Sequence, residues 1–281
     1  MPSDIGSYMA ADAMVKEFGC CCKKITCIAG KSKGSLSGGT LATGLSMSSS
    51  KAKAFPGFKE AAKLGMCYPL DPPFGHKGPD TNNHGGAPIH YHKVAKTWCA
   101  PFIMSDINAP VVRKSNALLG YKYGEQLQYH ETMAVPSLVH AIGAVSGLLF
   151  GVGCIAMPPI RWALFRFGLL PKPGEGPSKD LQDNGFFHTY VVAEGEKDGA
   201  VTTAHVRSGR AGDPGYKATA QMCIESALCL ALERDACSAQ GGVLTTAAAI
   251  AGPLIKRLNS SGMQLAVHAG APEDEDKKKI C

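Results

Sequence analysis

Between Glu131 and Arg161 the chain has no Asp, Glu, Lys or Arg, and within that window Leu138 to Met157 holds only His140 and Ser146 as clearly polar side chains. That absence excludes an ordinary solvated surface helix. A helical span of about 20 apolar residues matches the roughly 30 Å hydrocarbon core of a bilayer. Pro158-Pro159 then removes two amide donors and ends the run, which favours a chain that enters and leaves on the same face. Beyond it, Ile160 to Leu170 mixes Trp162, Phe165 and Phe167 with Arg161 and Arg166, a composition suited to a lipid-water boundary. The two pieces predict a membrane-dipping hairpin whose contacts are Leu138, Leu148, Leu149, Phe150, Trp162 and Phe165. The alternative is an apolar helix buried in protein. Glycines at 143, 147 and 151 recur every four residues, a spacing that lets a second helix approach closely.

Other absences narrow the chemistry. A doubly wound dinucleotide site needs Gly-x-Gly-x-x-Gly after its first strand, so that amides at a helix N-terminus meet the pyrophosphate. The nearest stretch, Gly34 to Thr40, lacks that spacing, and no acidic residue stands about 20 positions later at the end of a second strand. No Gly-Lys-Ser/Thr ends that glycine-rich loop, which excludes a P-loop, and no Gly-x-Ser-x-Gly elbow offers a hydrolase nucleophile. The formal charge of +6 is spread out apart from short lysine clusters, so a nucleic-acid partner is not expected, whereas mild attraction to anionic lipid is. No charged start followed by an apolar run marks a secretory signal, and the 11 cysteines are odd in number, so reduced thiols are expected. Cys20-Cys21-Cys22 with Cys27 has no second ligand pair at zinc distance, and His90 and His92, with His84 and His76 nearby, sit in a setting of Pro, Gly, Asn and Asp that reads as a polar loop or a strand edge. No metal is expected at either place.

What is present reads as a globular α/β chain, with 45% hydrophobic residues and no internal repeat. Ser3 and Asp4 offer N-cap oxygens to a helix over Ile5 to Phe18, and Gly19 stops it. Lys24 to Ala29 is β-like, followed by the Gly34 to Thr40 turn and a helix over Leu41 to Met47. Pro56 to Ala87 is an irregular excursion. A helix starts at Ala109 with Pro110 in its first turn. Phe187 to Ala193 and Val201 to Arg207 form an antiparallel hairpin turned by Asp198-Gly199. Tyr216 to Glu233 is an amphipathic helix with Ala220, Cys223, Ile224, Ala227 and Ala231 on its apolar side. A helix over Thr245 to Asn259, closed by Gly262, precedes a strand over Met263 to Val267 and a charged tail from Pro272 to Lys279.

These elements predict an α/β or α+β domain whose mixed, partly antiparallel sheet is covered by helices on one face, with the apolar hairpin inserted. The core is expected to include Cys223, Ile224, Ala227, Leu228, Ile250, Leu254 and Leu258. In residue ranges, 1–132 and 172–270 make up one domain, 133–171 the hairpin, and 271–281 the tail. The loop from Arg207 to Tyr216 holds two cations, a carboxylate and a phenol. Asp213 before Pro214 reads as an N-cap, and the functional alternative has Tyr216 and Arg210 facing a substrate carbonyl or carboxylate.

Six ordered segments carry a resemblance: Pro2 to Gly6, Gly34 to Thr40, Val111 to Ser115, Lys172 to Pro177, Gly212 to Tyr216, and Gly241 to Thr245. On them the chain resembles the saccharopine dehydrogenase-like oxidoreductases, which include the bacterial trans-acting enoyl reductases. The resemblance covers the family's later portion, and family members carry a nucleotide-binding Rossmann domain ahead of the part that begins at Pro2-Ser3-Asp4. It implies a truncated NAD(P)-dependent oxidoreductase linked to lipid metabolism, with NAD(P) not held tightly by this chain and no catalytic residue assigned. It further implies an intracellular place on a lipid droplet, mitochondrial or other organelle membrane, and a possible homo-oligomer. The alternative is a non-catalytic lipid-surface protein. Carried over segment by segment, Ser3, Asp4, Gly38, Gly39, Thr40, Asp213 and Tyr216 are the expected residues of a substrate cleft.

Overall fold

The computed structural model describes residues 1–35, 38–39, 41–42, 87–172, 174–238, 241–272 and 280. Most of the expected helix over Leu41 to Met47, all but the last residue of the excursion from Pro56 to Ala87, Thr40, His76, His84 and most of the charged tail lie outside them.

Helix α1 spans Pro2–Phe18, and Gly19 closes it with φ +59° while its N–H donates to the Val15 carbonyl at 3.0 Å. A left-handed closing residue favours glycine. Strand β1, Cys22–Lys33, follows and is twice the expected length. Then come β2 (His90–His92), β3 (Thr97–Pro101), helix α2 (Ser105–Leu118) and β4 (Gln128–Val135). Helix α2 begins four residues before the expected start at Ala109, so Pro110 sits in the helix interior, at the loss of one ladder hydrogen bond. Ser137 caps α3 (Leu138–Ala156), and Met157, in an extended conformation, separates it from α4 (Pro158–Arg166). The short α5 (Lys179–Asn184) leads into the hairpin of β5 (Phe186–Gly195) and β6 (Val201–Arg207), turned at Gly199 as its Asp-Gly pair predicts. Helix α6 (Lys217–Leu232), α7 (Thr246–Ser260) and β7 (Gln264–Ala269) complete the described chain.

The seven strands form one open mixed sheet in the order β2-β3-β4-β1-β5-β6-β7. The β1 and β4 strands run parallel and every other neighbouring pair is antiparallel. This is the expected α/β architecture with a mixed sheet. Alternation sorts the side chains: Ile25 and Cys27 of β1 join Tyr129, Val191 and the buried faces of α1, α2, α6 and α7, while Ile28, Tyr190 and Val192 turn to the opposite face against Ala95 and Ile280. Helix α1 lies across the strands, and Gly6 lets it settle there, since a Cβ at that position would stand 2.8 Å from Val191 Cγ2.

Helix α7 carries Pro253, which has no N–H to donate to the Ala249 carbonyl one turn earlier. The chain kinks at Ile250, and the freed carbonyl of Ala249 accepts the Ser238 N–H at 2.7 Å instead. Ile250, Leu254 and Leu258 are buried as expected. The α6 expectation is corrected: Ala220, Cys223, Ile224, Ala227 and Ala231 are exposed and Leu228 is half-buried, whereas Ala218, Met222 and Cys229 face the core. This helix is apolar nearly all round, so periodicity alone leaves its rotation open. Its orientation is set by polar anchoring: Glu225 accepts Arg257 Nε of α7 at 2.7 Å, and Glu233 accepts Arg257 Nη1 at 2.8 Å.

Leu254 is 0% exposed at the centre of the main core. Replacing it by Ala should cost roughly 2 to 5 kcal/mol. Urea unfolding followed by circular dichroism checks this, and an unchanged midpoint would mean that the α7 face is not packed as described.

Candidate functional site

Parallel pairing of β1 with β4 sets Cys27 beside Glu131 on the face that carries the helices. Ser3 from the first turn of α1 and Asn108 from α2 reach the same carboxyl group. Ser3 Oγ donates to Glu131 Oε1 at 2.5 Å, and Asn108 Nδ2 donates to the same oxygen at 3.2 Å. The Cys27 thiol also lies against the carboxyl, with Tyr129 beside the sulfur. Glu131 is 1% exposed, yet its second oxygen, Oε2, has no hydrogen-bond partner. Burial pushes the Glu131 carboxyl up to about 7, against the opposing pull of the Ser3, Asn108 and Cys27 hydrogen bonds and of the Met1 ammonium, and no Lys or Arg pairs with it among the described residues.

The carboxyl opens onto a cavity of about 580 Å³ bounded by the start of α1, the outer half of β1, the first residues of β5 and the exposed side of α6. That size lies within the usual range of small-molecule sites. Pro2, Ala29, Phe102, Phe187, Pro214 and Met222 make most of the wall apolar, and His188, Thr189, Thr219, Cys223 and Ser226 add polar groups. Cys223 therefore faces the cavity rather than the core.

Of the expected cleft residues, Ser3 lines this cavity. Asp4, next to it, points the other way: its Oδ2 accepts the Ala247 N–H at 2.9 Å and Thr246 Oγ1 at 2.7 Å, and Oδ1 accepts the Ser115 hydroxyl. Asp213 is fully buried at the head of α6, where Oδ2 accepts the N–H groups of Gly215 and Tyr216 at 3.0 Å each and Oδ1 accepts that of Lys217 at 2.9 Å. It serves as the capping carboxylate that the Asp-Pro step predicts, from three residues ahead of the N-cap position, which Tyr216 occupies. Gly212 precedes it with φ +83°, and a Cβ there would stand 2.3 Å from the Gln182 carbonyl oxygen. Tyr216 is 38% exposed and lies over Gly176. Gly38 donates its N–H to the Glu175 carbonyl at 3.0 Å, and Gly34 abuts the Pro214 ring. The loops around residues 34–39, 174–177 and 213–216 thus meet, with Pro214 shared between them and the cavity. Thr40 lies outside the described residues.

Glu131 was not among the residues singled out from sequence. Its signal is a carboxylate in the middle of a β-strand, flanked by Tyr129 and Met133 at alternate positions, where burial of a charge demands a reason.

Helix N-termini are where a dinucleotide pyrophosphate would bind. Here the amides at the head of α6 are taken by Asp213, and those of α7 by Asp4 and by Thr245, whose Oγ1 accepts the Ala248 N–H. A phosphate would meet a buried carboxylate at both. The chain's Gly30-Lys31-Ser32 runs along β1 rather than closing a loop. The heads of α6 and α7 therefore do not fit a dinucleotide pyrophosphate. No group of three or more His, Cys, Asp or Glu side chains is arranged for a metal ion among the described residues either.

In the hairpin, Ala141 is the buried residue of α3, and α4 has none. Leu149, Phe150 and Trp162 are exposed at 67%, 75% and 67%, Leu138 and Leu148 are also exposed, and Phe165 is half-buried. Gly143, Gly147 and Gly151 face open space, so no second helix uses their spacing among the described residues. The alternative of an apolar helix buried in protein is not what the fold shows: 6% of the apolar window is buried.

An open mixed sheet with helices on one face and a carboxyl-bearing cavity at their junction defines the class of fold. The chain is 34% identical over 276 residues to a putative trans-acting enoyl reductase of Mycobacterium tuberculosis, an alignment taking in 94% of this chain and 64% of that protein. It is 35% identical over 180 residues to a trans-acting enoyl reductase of Mycobacterium bovis, covering 61% of this chain and 41% of that one. With a trans-acting enoyl reductase of Mycobacterium leprae it shares 34% identity over 194 residues, 66% of this chain and 44% of the relative. The chain is thus related in sequence to proteins named trans-acting enoyl reductases, and it spans less than two thirds of their length. No protein-family model and no solved structure matches it.

The elevated Glu131 carboxyl has a consequence for stability. Between about pH 4.5 and about 7 the folded chain keeps a proton that the unfolded chain has released, so stability falls as pH rises through that window and levels off above it. The slope from this one group reaches at most about 1.4 kcal/mol per pH unit. Glu131→Gln should flatten it. Urea midpoints from about pH 5 to about pH 8 measure the difference, and parallel curves for the two proteins would refute the assignment.

Proposed function

We propose that this chain is the substrate- and membrane-binding portion of an NAD(P)H-dependent enoyl reductase of the saccharopine dehydrogenase-like kind, acting on a lipid-linked substrate. The observation that carries the reading is the alignment with proteins named trans-acting enoyl reductases over 94% of the chain. The cavity supports it, because apolar walls around one buried carboxyl suit an uncharged acyl group better than a sugar or a nucleotide. Reduced nicotinamide would supply hydride when bound, gripped from outside the described residues. This chain's own part is to hold the acyl group, exclude water from it and keep Glu131 oriented through Ser3 and Asn108.

The exposed apolar helices support lipid association of the same protein. Leu149, Phe150 and Trp162 would enter the membrane, with Arg161 and Arg166 at the headgroups. That feature also favours a second reading, a non-catalytic protein of a membrane or lipid-droplet surface. The two readings part on turnover.

Isothermal titration of the full chain with NADPH should show no binding in the micromolar range, and a micromolar Kd would overturn the external grip on the cofactor. In vesicle flotation the chain should rise with anionic liposomes, while a Leu149→Asp, Trp162→Asp double variant, altered at exposed positions only, should stay in the dense fraction. An unmodified chain that fails to float would end the membrane reading.

A further inference from the structure

The two oxygens of Glu131 stand in different situations. Oε1 accepts from Ser3 and from Asn108, so it behaves as the carbonyl oxygen of the group. Oε2 has no nitrogen or oxygen partner among the described residues, inside a side chain that is 99% removed from solvent and belongs to a residue lining the cavity, and the Cys27 thiol against the same carboxyl offers only a weak sulfur contact. With two donors already on Oε1, a proton carried by the group resides on Oε2. A buried donor without an acceptor costs about 1 to 3 kcal/mol, which a ligand oxygen placed there would recover. Around it the wall is apolar, and no Lys or Arg lines the cavity among the described residues.

We propose that Glu131 Oε2–H holds the carbonyl oxygen of an uncharged acyl group in this cavity, and that this contact selects neutral acyl thioesters over free carboxylates. A carboxylate ligand would bring a second negative group to an apolar wall without Lys or Arg among the described residues, where burial also disfavours the charged form of the Met1 α-amino group, whereas a thioester carbonyl accepts one hydrogen bond and leaves its chain against Phe187 and Met222. The inference rests on the reductase reading for the choice of acyl ligands. It adds a positioning and specificity-determining role for a named side chain, and its test reads binding without turnover.

Cys223 reports on occupancy, because its exposed thiol lines the same cavity. The full chain is treated with N-ethylmaleimide, and modification of the Cys223 peptide is followed by mass spectrometry with either decanoyl-N-acetylcysteamine or sodium decanoate present. The thioester is saturated, so it undergoes no conjugate addition, and Cys223 acylated by thiol exchange, with N-acetylcysteamine released, is recognised by the decanoyl mass on the same peptide and is not counted as protection. In the unmodified chain the thioester should slow modification and decanoate should not. Glu131→Gln keeps a donor where Oε2 stood and an acceptor for Ser3 and Asn108, so protection should persist. Glu131→Met removes the donor at similar volume, and protection should then require about tenfold more thioester. Equal protection by thioester and decanoate in the unmodified chain overturns the proposal. So does loss of protection in a folded Glu131→Gln chain, or unchanged protection in Glu131→Met. If the Met variant does not fold, the comparison of the two probes and the Gln variant still decides. A chain that protects Cys223 with the expected selectivity but reduces no enoyl thioester with NADPH present overturns the reductase reading alone. A working reductase whose Glu131→Met variant binds the thioester as before overturns this inference alone.

Discussion

The carboxylate of Asp4 ties the helical layer together. It sits in the first turn of α1, receives the Ser115 hydroxyl of α2, and caps α7 through the Ala247 amide and the Thr246 hydroxyl. Three helices from separate stretches of chain are thereby fixed at one point, on the interior side of the layer that covers the sheet. The neighbouring residue, Ser3, projects about 100° round the helix and meets Glu131 in the cavity. One turn of α1 therefore links the packing of the core to the geometry of the site. Any shift of α1 would displace the Ser3 hydroxyl from Glu131 and the Asp4 carboxylate from the head of α7 together.

Carboxylates recur at the helix ends that face the body of the protein. Asp213 fills the head of α6 as Asp4 fills that of α7, and each satisfies amides that would otherwise be free. The arrangement gives rigid ends to both helices and removes the positive sites that attract phosphate. What remains open is an apolar cavity with a buried acid at its wall, its carboxyl pushed up to about 7 by burial. The polar chemistry is concentrated at the junction of β1, β4 and α1, and the apolar surface is concentrated in α3 and α4.

Local chemistry was readable wherever a residue acts on its own neighbours. Asp198-Gly199 turns the β5–β6 hairpin, Gly19 stops α1, Thr245 and Gly262 bound α7, and Asp213 caps the helix after Pro214. The mixed α/β architecture follows from the same signals. What sequence reading could not supply depends on register and on distance along the chain. Glu131 becomes a site residue because β1 and β4 pair in parallel and because Ser3 arrives from 128 positions away. Asp4 reads as a cap for its own helix, and instead it serves one that begins more than 240 residues later. Helix α6 has apolar residues on nearly every side, so its rotation waits on Arg257, a partner from another element.

The long apolar helix α3 contributes a single small side chain, Ala141, to the packed interior, near the end where it leaves β4. Beyond its first turns nothing in the sheet leans on it. Among the described residues the outer half of that rod leans on α4, where Ile155 is half-buried and its carbonyl accepts Arg161 Nη1 at 3.5 Å, and is otherwise open to whatever medium surrounds it. Over evolutionary time such an arm is free to lengthen, shorten or change its greasiness at little risk to the body that carries it, so that one scaffold can be retuned from one environment to another.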